Sequence, residues 1–340
     1  MKRITDQLQT DGIGRRGGVK TGWRYFHLDT KRPVRDPATL ERIRHLAIPP
    51  AWRSVAVNTS ATHRVQAVGR DDADRWQYLY HEDFRRQMEH RKFHGMLDFA
   101  RRLPRMRRQV AAHLRHEGLT KERVLAGMIR ILDSGMIRVG CEEYAHEHKH
   151  FGLSTLQHHH VAVCEGLIHF DFVGKCGEQH HIDFHDKAAA RLVRELLAVN
   201  GARVFRYRNG DGQLVRATAG AVNDYFKQFV GRAYSVKEFR TWIATVICAA
   251  ALGHAGPQTT LRAQTKAVKD ALAITSGTLG NTPAICKTSY VSPRILDLYR
   301  RGVAVSLDFI PHPEEIIRHC HGLHPAERAT LSLLTAHGHG

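Results

Sequence analysis

The stretch Leu279-Gly-Asn-Thr-Pro-Ala-Ile-Cys-Lys-Thr-Ser-Tyr290 places a tyrosine between two short helices. Thr282 and Ser292 are each followed by a proline, a pattern typical of an N-cap with proline at the first helical position. The sequence therefore predicts a helix after each of them, with Tyr290 at the joint. A phenolic oxygen held there could attack a phosphate if nearby cations stabilise the transition state.

The whole chain is strongly basic. Its 340 residues contain 51 Lys and Arg against 33 Asp and Glu, which gives a formal net charge of +18. A positive field of this size attracts polyanions, and double-stranded DNA is the partner it favours. Apolar residues and proline interrupt the basic runs, unlike a polybasic membrane tail, so we expect no membrane partner.

Cysteine and histidine usage bears on location and cofactors. The six cysteines form no Cys-x-x-Cys pair, and the N-terminus lacks the apolar core of a signal peptide, so we expect a cytoplasmic protein with reduced thiols. His146 and His150 have i, i+4 spacing, as on a metal-binding helix, but no cysteine or acidic motif accompanies them. We predict surface histidines and no metal site. No P-loop or dinucleotide fingerprint is present, which predicts no small-molecule cofactor.

The hydrophobic periodicity predicts an α+β fold with two domains. Alternating patterns predict a small antiparallel β domain over residues 1–88, with one helix that Asp36 caps. Its strands are expected at residues 23–28, 54–58, 64–68 and 76–80. Residues 89–340 have mainly helical periodicity and predict a larger, mainly α-helical domain. That domain contains one β-hairpin over residues 167–184, with Lys175 at its tip.

Two cations lie at the start of one predicted helix. Ser235 and Glu238 have the spacing of a capping box, which would place Lys237 and Arg240 in the first two turns. Cations near a helix N-terminus are repelled by the positive end of the helix dipole, so their placement is more favourable when an anion binds there. A solvated or ion-paired surface arginine is the alternative interpretation of Arg240.

Other candidate residues are equally ambiguous when each is considered alone. Arg138 follows a glycine at the end of an apolar helix, and Lys175 could be an ordinary solvated turn lysine. Tyr290 competes with other phenols that would simply pack in a core: Tyr225, Tyr234 and Tyr299.

The motifs in combination resemble those of type IB DNA topoisomerases, in particular the small bacterial, poxvirus-like branch. Four motifs occur in the order found in that family: Arg-x-Gly-x-x-x-Tyr at 138–144, Val-Gly-Lys at 173–175, Lys-x-x-Arg-Thr-Trp at 237–242 and Gly-Asn-Thr-Pro-x₆-Tyr at 280–290. The resemblance runs from about residue 20 to residue 300 and includes Gln77-Tyr-Leu-Tyr80.

The resemblance implies a catalytic role for five residues. Tyr290 would attack a DNA phosphodiester, join the 3′-phosphate and release a 5′-hydroxyl strand. Arg138 and Arg240 would hold the nonbridging oxygens, and Lys175 would protonate the departing 5′-oxygen. Asn281 occupies the position where poxvirus and nuclear members have histidine, so it could donate a neutral hydrogen bond but carries no charge. Religation would then relax supercoiled DNA without ATP, cofactor or required metal.

The resemblance also implies DNA contacts and a setting. A clamp of two domains would close around the duplex, and the protein would act as a monomer in the cytoplasm, on the bacterial nucleoid. The residues expected to contact DNA are Arg70, Gln77, Tyr78, Tyr80, Tyr144 and Lys237. For Tyr78 and Tyr80, which share a strand face with Trp76, the alternative is a packed aromatic face.

Two other functions stay open from the sequence. A tyrosine recombinase shares the chemistry, but it usually carries His-x-x-Arg where this chain has Lys237-x-x-Arg240. A noncatalytic basic DNA-binding protein would bind duplexes without forming a covalent bond.

Overall fold

The computed structural model describes residues 4–306, 312–318 and 322–337. The chain forms two compact units, Met1–Lys92 and Phe93–Gly340. The fold is an antiparallel β-sheet unit followed by a mainly helical unit with small sheets, as the sequence predicts. Within the described ranges, no helix combines the length and apolar character that a membrane span requires.

The first unit is built on a five-stranded antiparallel sheet with strand order β2-β1-β3-β4-β5. Its elements are α1 (Ile4–Asp11), β1 (Ile13–Gly18), β2 (Gly22–His27), α2 (Pro37–His45), β3 (Arg53–Val57), β4 (Val65–Arg70) and β5 (Trp76–Tyr80). All four strands expected from the sequence are present. The sequence Ile-Gly-Arg-Arg-Gly-Gly of β1 shows no apolar alternation, so this strand was not predicted.

Strand β4 and the second half of β3, residues 55–57, are buried on both faces of this sheet. Val57 packs with Ile43 of α2 on one face, and Val68 packs with Leu8 of α1 on the other. The predicted start of α2 is confirmed: the Asp36 carboxylate accepts a hydrogen bond from the Thr39 backbone N–H at 2.9 Å. Strand β5 lies at the edge of the sheet, and its side chains Tyr78 and Tyr80 are exposed.

The second unit is mainly helical. Helix α3 (Glu82–His113) begins in the first unit and ends in the second. The elements after it are α4 (Lys121–Leu132), α5 (Glu142–Glu147), β6 (Val161–Cys164), β7 (Leu167–Val173), β8 (Gln179–His185), α6 (Lys187–Leu197), β9 (Arg206–Arg208), β10 (Leu214–Arg216), α7 (Ala219–Val230), α8 (Lys237–Ala255), α9 (Leu261–Leu279), α10 (Pro283–Ser289), α11 (Pro293–Arg300), α12 (Pro313–Arg318) and α13 (Pro325–Ala336). The predicted hairpin is confirmed as β7 and β8, which pair with β6 in a three-stranded sheet.

Helix α8 runs through the centre of the second unit. Its residues from Phe239 to Ala250 are all buried, and it packs against α9, α11 and α13. The capping box expected at Ser235 and Glu238 is wrong: the N-cap is Val236, which has no side-chain cap bond. The Val236 backbone N–H instead donates to the side chain of Asn223 in α7 at 3.1 Å, so a tertiary contact replaces the local cap.

Candidate active site

Tyr290 lies at the joint between α10 and α11, as predicted. The Thr282 hydroxyl caps α10 by accepting from the Ile285 backbone N–H at 3.3 Å, and Tyr290 is the C-cap of this helix. Ser292 is the N-cap of α11 but makes no side-chain cap bond. The phenol is half-buried beside the core of the second unit.

A threonine inside α8 fixes the backbone on both sides of this joint. The buried Thr245 hydroxyl lies 3.3 Å from the carbonyl oxygen of Tyr290 and accepts from the Ser292 backbone N–H at 3.1 Å. It also donates to the Thr241 carbonyl one turn earlier at 2.8 Å. The backbone that carries Tyr290 is therefore tied to the most buried helix of the unit. No sequence pattern indicates this role, because a threonine in a buried helix is equally compatible with simple packing.

Arg240 is buried, so its interpretation as a surface residue is wrong. Its side chain is 5% exposed and donates to the carbonyls of Gly135 and Leu279 at 2.6 and 2.7 Å. A Cβ on Gly135 would lie 2.3 Å from Ile243, so only glycine allows the loop after α4 to approach α8 this closely. The guanidinium carbon lies 5.3 Å from the centre of the Tyr290 ring.

Arg138 and Asn281 form a pair from two distant parts of the chain. An Arg138 guanidinium nitrogen donates to the Asn281 side-chain oxygen at 2.8 Å. The loop carrying Arg138 is held by its own carbonyl, which accepts from the Leu153 backbone N–H at 2.9 Å. Asn281 directly follows Gly280, the left-handed C-cap of α9. The Asn281 amide nitrogen is buried and has no hydrogen-bond partner within the described residues.

The charges in this cluster favour an ionised phenol. Burial alone raises the pKa of Tyr290, but the charges of Arg240 and Arg138, with hydrogen bonds from both, outweigh it and lower the pKa. Burial lowers the pKa of Arg240 to about 10, and the charge of Arg138 adds to this shift. The Arg240 guanidinium therefore remains positive at neutral pH. The site combines a phenol of lowered pKa with fixed positive charge, an arrangement that could support attack on a phosphate.

Lys175 lies in the short turn between β7 and β8 and is exposed. Its neighbour Gly174 packs against the ring of His180, and the other edge of that ring faces Gly280. The structure therefore brings together Tyr290, Arg240, Arg138 and Asn281, and it leaves the Lys175 side chain in solvent on the adjoining hairpin.

Comparisons with known proteins cover most of the chain. Residues 81–299 match the family described as "Eukaryotic DNA topoisomerase I, catalytic core", which is well over half of the sequence. The chain belongs to the type IB DNA topoisomerase family. Residues 22–71 match the family described as "Bacterial DNA topoisomerase IB, N-terminal domain", which indicates the bacterial branch.

A similar curated relative is the DNA topoisomerase 1B of Acanthamoeba polyphaga mimivirus. The two sequences are 29% identical over 285 residues, which is 82% of this chain and 84% of the relative. A topoisomerase acts on DNA, which agrees with the basic composition of this chain.

The residues expected to contact DNA from the first unit of this topoisomerase lie on or near β5. Tyr78 and Tyr80 are 37% and 40% exposed, and their rings stack with centroids 6.2 Å apart. Gln77 donates to the Asp71 carboxylate at 2.9 Å. Arg70 pairs with Asp74 and lies over the Trp76 ring at 4.7 Å.

The remaining expected contacts lie in the second unit of the topoisomerase. Lys237 is exposed in the first turn of α8, and Tyr144 is 38% exposed on α5. Because α5 ends at Glu147, His146 and His150 do not share a helix. Among the described residues, no cluster of three or more histidine, cysteine or acidic side chains could hold a metal ion.

Proposed function

We propose that this type IB topoisomerase relaxes supercoiled double-stranded DNA by transient cleavage of one strand. The Tyr290 phenolic oxygen attacks the phosphorus and forms a bond to the 3′-phosphate, while the bond to the 5′-oxygen breaks. The phenolic proton leaves to solvent. The observation that carries this proposal is the position of Tyr290 beside two guanidiniums that lower its pKa.

Transition-state charge would be stabilised by Arg138, Arg240 and Asn281. The five-coordinate phosphorus concentrates negative charge on its nonbridging oxygens, and donors fixed beforehand favour that state over the ground state. Arg240 is held by three backbone carbonyls and Arg138 by the Asn281 oxygen, so neither has to reorganise extensively when DNA binds. The free Asn281 amide nitrogen supplies a further donor.

Lys175 would be the general acid. An alkoxide is a poor leaving group, so a proton has to reach the 5′-oxygen as its bond to phosphorus breaks. Lys175 is exposed at the tip of a hairpin, where it can meet DNA that binds over the site. In the reverse reaction the 5′-hydroxyl returns this proton and attacks the phosphotyrosine.

The phosphotyrosine conserves the energy of the broken bond, so religation needs neither ATP nor a required metal. While the strand is open, the DNA can swivel and lose supercoils. We further propose that residues 1–88 form a DNA clamp and residues 89–340 the catalytic domain. Arg70, Gln77, Tyr78 and Tyr80 of the clamp would contact DNA together with Tyr144 and Lys237.

A plasmid relaxation assay with chelator and without ATP tests this function. Wild-type protein is expected to relax the plasmid and to form an adduct with the 3′-phosphate that maps to Tyr290. Tyr290→Phe, which retains the ring but lacks the nucleophile, is expected to do neither while still binding DNA. Binding without relaxation by the wild type would support a noncatalytic protein, and integration products would support a recombinase.

A further inference from the structure

His180 occupies a place between two proposed catalytic segments. It lies in β8, and its side chain is 8% exposed. Phe172 of the paired strand β7 stacks on the ring face with centroids 5.2 Å apart. This packing fixes the plane of the imidazole.

Opposite edges of the His180 ring contact two glycines. A Cβ built on Gly174 would lie 2.4 Å from His180 Cδ2 and 2.5 Å from Nε2. A Cβ built on Gly280 would lie 3.0 Å from Cε1 and 3.4 Å from Nδ1. The ring therefore fills the space between two backbone segments, and a larger residue at Gly174 would displace it.

Each of these glycines directly precedes a residue of the proposed site. Gly174 precedes Lys175, and Gly280 precedes Asn281. Burial lowers the pKa of His180 more than the charge of Glu178 raises it, and the charges of Arg138 and Arg240 lower it further, so the imidazole is neutral at neutral pH. A neutral ring separates the two segments without repelling the adjacent guanidiniums.

We propose that His180 is a positioning residue for strand cleavage, which holds the Lys175 hairpin tip at a fixed distance from the Asn281 turn. This inference rests on the proposed function, because it concerns delivery of a proton to the 5′-oxygen. His180 itself touches no reacting atom. Its ring sets where the tip of the hairpin stands relative to Asn281, and Asn281 contacts Arg138.

The test compares two DNA substrates in single-turnover cleavage. One is ordinary DNA, and the other carries sulfur in place of the bridging 5′-oxygen at the cleaved phosphate. A thiol has a pKa of about 8.5, so the sulfur leaves as a thiolate without a general acid. A defect in proton delivery therefore slows only the oxygen substrate.

His180→Ala is expected to cleave the oxygen substrate on the order of a hundredfold slower, because a catalytic group misplaced by roughly 1 Å costs about that much. The sulfur substrate is expected to be cleaved at nearly the wild-type rate, the pattern also expected for Lys175→Ala. His180→Phe keeps a flat ring and is expected to retain most oxygen cleavage. His181→Ala, on the exposed face of the same strand, is the matched control and should match wild type.

A second variant keeps the test valid if His180→Ala folds poorly. Gly174→Ala has an allowed backbone conformation, with φ of −95°, but its methyl group would push the His180 ring. We expect the same selective loss on oxygen DNA. In the double variant with His180→Ala, the methyl group occupies the vacated space, so the two losses should be less than additive.

Two results would overturn the proposal. Equal slowing of both substrates would show that His180 only supports the fold, and wild-type cleavage by His180→Ala and Gly174→Ala would show that the ring positions nothing. Failure of the wild-type protein to cleave either DNA is a different result, because it would count against the proposed function.

Discussion

The amide oxygen and the amide nitrogen of Asn281 have different roles in the proposed site. A guanidinium only donates hydrogen bonds, so the amide atom at 2.8 Å from Arg138 must be the oxygen. The nitrogen therefore faces away from Arg138, and it is buried without a partner among the described residues. A buried donor left unpaired costs free energy, and a phosphate oxygen bound in the site would satisfy it.

The two tasks of Asn281 can be separated by substitution. Asn281→Ala is expected to slow adduct formation on the order of a hundredfold, the usual effect of removing one preorganised donor. Asn281→Asp keeps an acceptor for Arg138 but replaces the donor with a charge that repels phosphate, so it should be slower than Asn281→Ala. Single-turnover adduct formation measures both. If Asn281 served only to hold Arg138, the aspartate variant would be the faster of the two.

Arg138 is also expected to set the pH dependence of cleavage. Its positive charge helps to lower the pKa of Tyr290, so its removal raises that pKa. The rise of the cleavage rate with pH, which follows ionisation of the phenol, should therefore move to higher pH in Arg138→Ala. Arg138→Lys keeps the charge and should move less.

The pH–rate profile of adduct formation at fixed ionic strength measures this shift. Arg232→Ala, which removes one exposed arginine elsewhere in the second unit, is the charge-matched control and should leave the profile in place. An unchanged profile in Arg138→Ala would contradict the electrostatic account of Tyr290 activation.

At the scale of elements, α8 organises the site through two residues one turn and a half apart. Arg240 holds the loop after α4 and the end of α9, and Thr245 holds the joint between α10 and α11. The loop after α4, which lies far away in sequence, and two segments close to each other near the end of α9 and after α10 are thereby fixed to one helix.

Thr245→Val tests the contribution of this joint. The substitution keeps the shape but removes the hydroxyl, which leaves the buried Ser292 backbone N–H without its acceptor. We expect a loss of about 1–3 kcal/mol in the free energy of unfolding and slower adduct formation. Thr245→Ser retains the hydroxyl and should preserve most of the cleavage rate. Denaturant unfolding and single-turnover cleavage, measured on both variants, distinguish a lost hydrogen bond from a lost methyl group.

The sequence predicted elements whose signals are local. The caps at Asp36 and Thr282 depend on residues within one turn, and both form as expected. The capping box predicted for the start of α8 was wrong, because the Val236 backbone N–H donates to the side chain of Asn223, which lies on another helix. Burial of Arg240 could not be predicted either, since its acceptors are carbonyls of Gly135, Met136 and Leu279, brought together only by tertiary packing.

At the scale of the whole molecule, a buried ionic network joins four helices of the second unit. Arg107 of α3 binds Asp133, which follows α4, at 2.7 Å and Glu327 of α13 at 2.7 Å. The indole nitrogen of Trp242 in α8 donates to Glu327 at 2.7 Å. Burial raises the pKa of Glu327, but the charge and hydrogen bonds of Arg107 outweigh it, so the pKa is lowered.

Glu327→Gln should therefore destabilise the protein, by about 3–5 kcal/mol, because it leaves a buried arginine with one charged partner fewer. The lowered pKa means that the unfolded chain binds a proton more readily than the native one. The stabilisation is present above the unfolded pKa of about 4.3 and is lost as pH falls through the native pKa. Wild type should lose more stability than the variant between neutral pH and pH about 3.

Urea unfolding at several pH values measures this difference. Glu315→Gln, on exposed surface of the same unit, is the matched control and should follow wild type. Equal pH dependence of wild type and Glu327→Gln would show that this carboxylate does not couple proton binding to folding.

The net charge of +18 predicts how the whole topoisomerase binds DNA. Binding that neutralises phosphates releases counterions, so the logarithm of the association constant falls linearly with the logarithm of salt concentration. Contact with roughly 6–10 phosphates would lower affinity about 10³- to 10⁵-fold between about 50 and 200 mM salt.

Tyr290→Phe allows this binding to be measured without cleavage. Lys237→Ala, which removes an exposed cation near the site, should reduce the slope by about 1. Lys266→Ala removes a lysine already paired with Asp270 at 2.6 Å, so its slope should change less. Equal slopes for the two variants would show that Lys237 does not meet a phosphate and that its charge acts only as part of the general field.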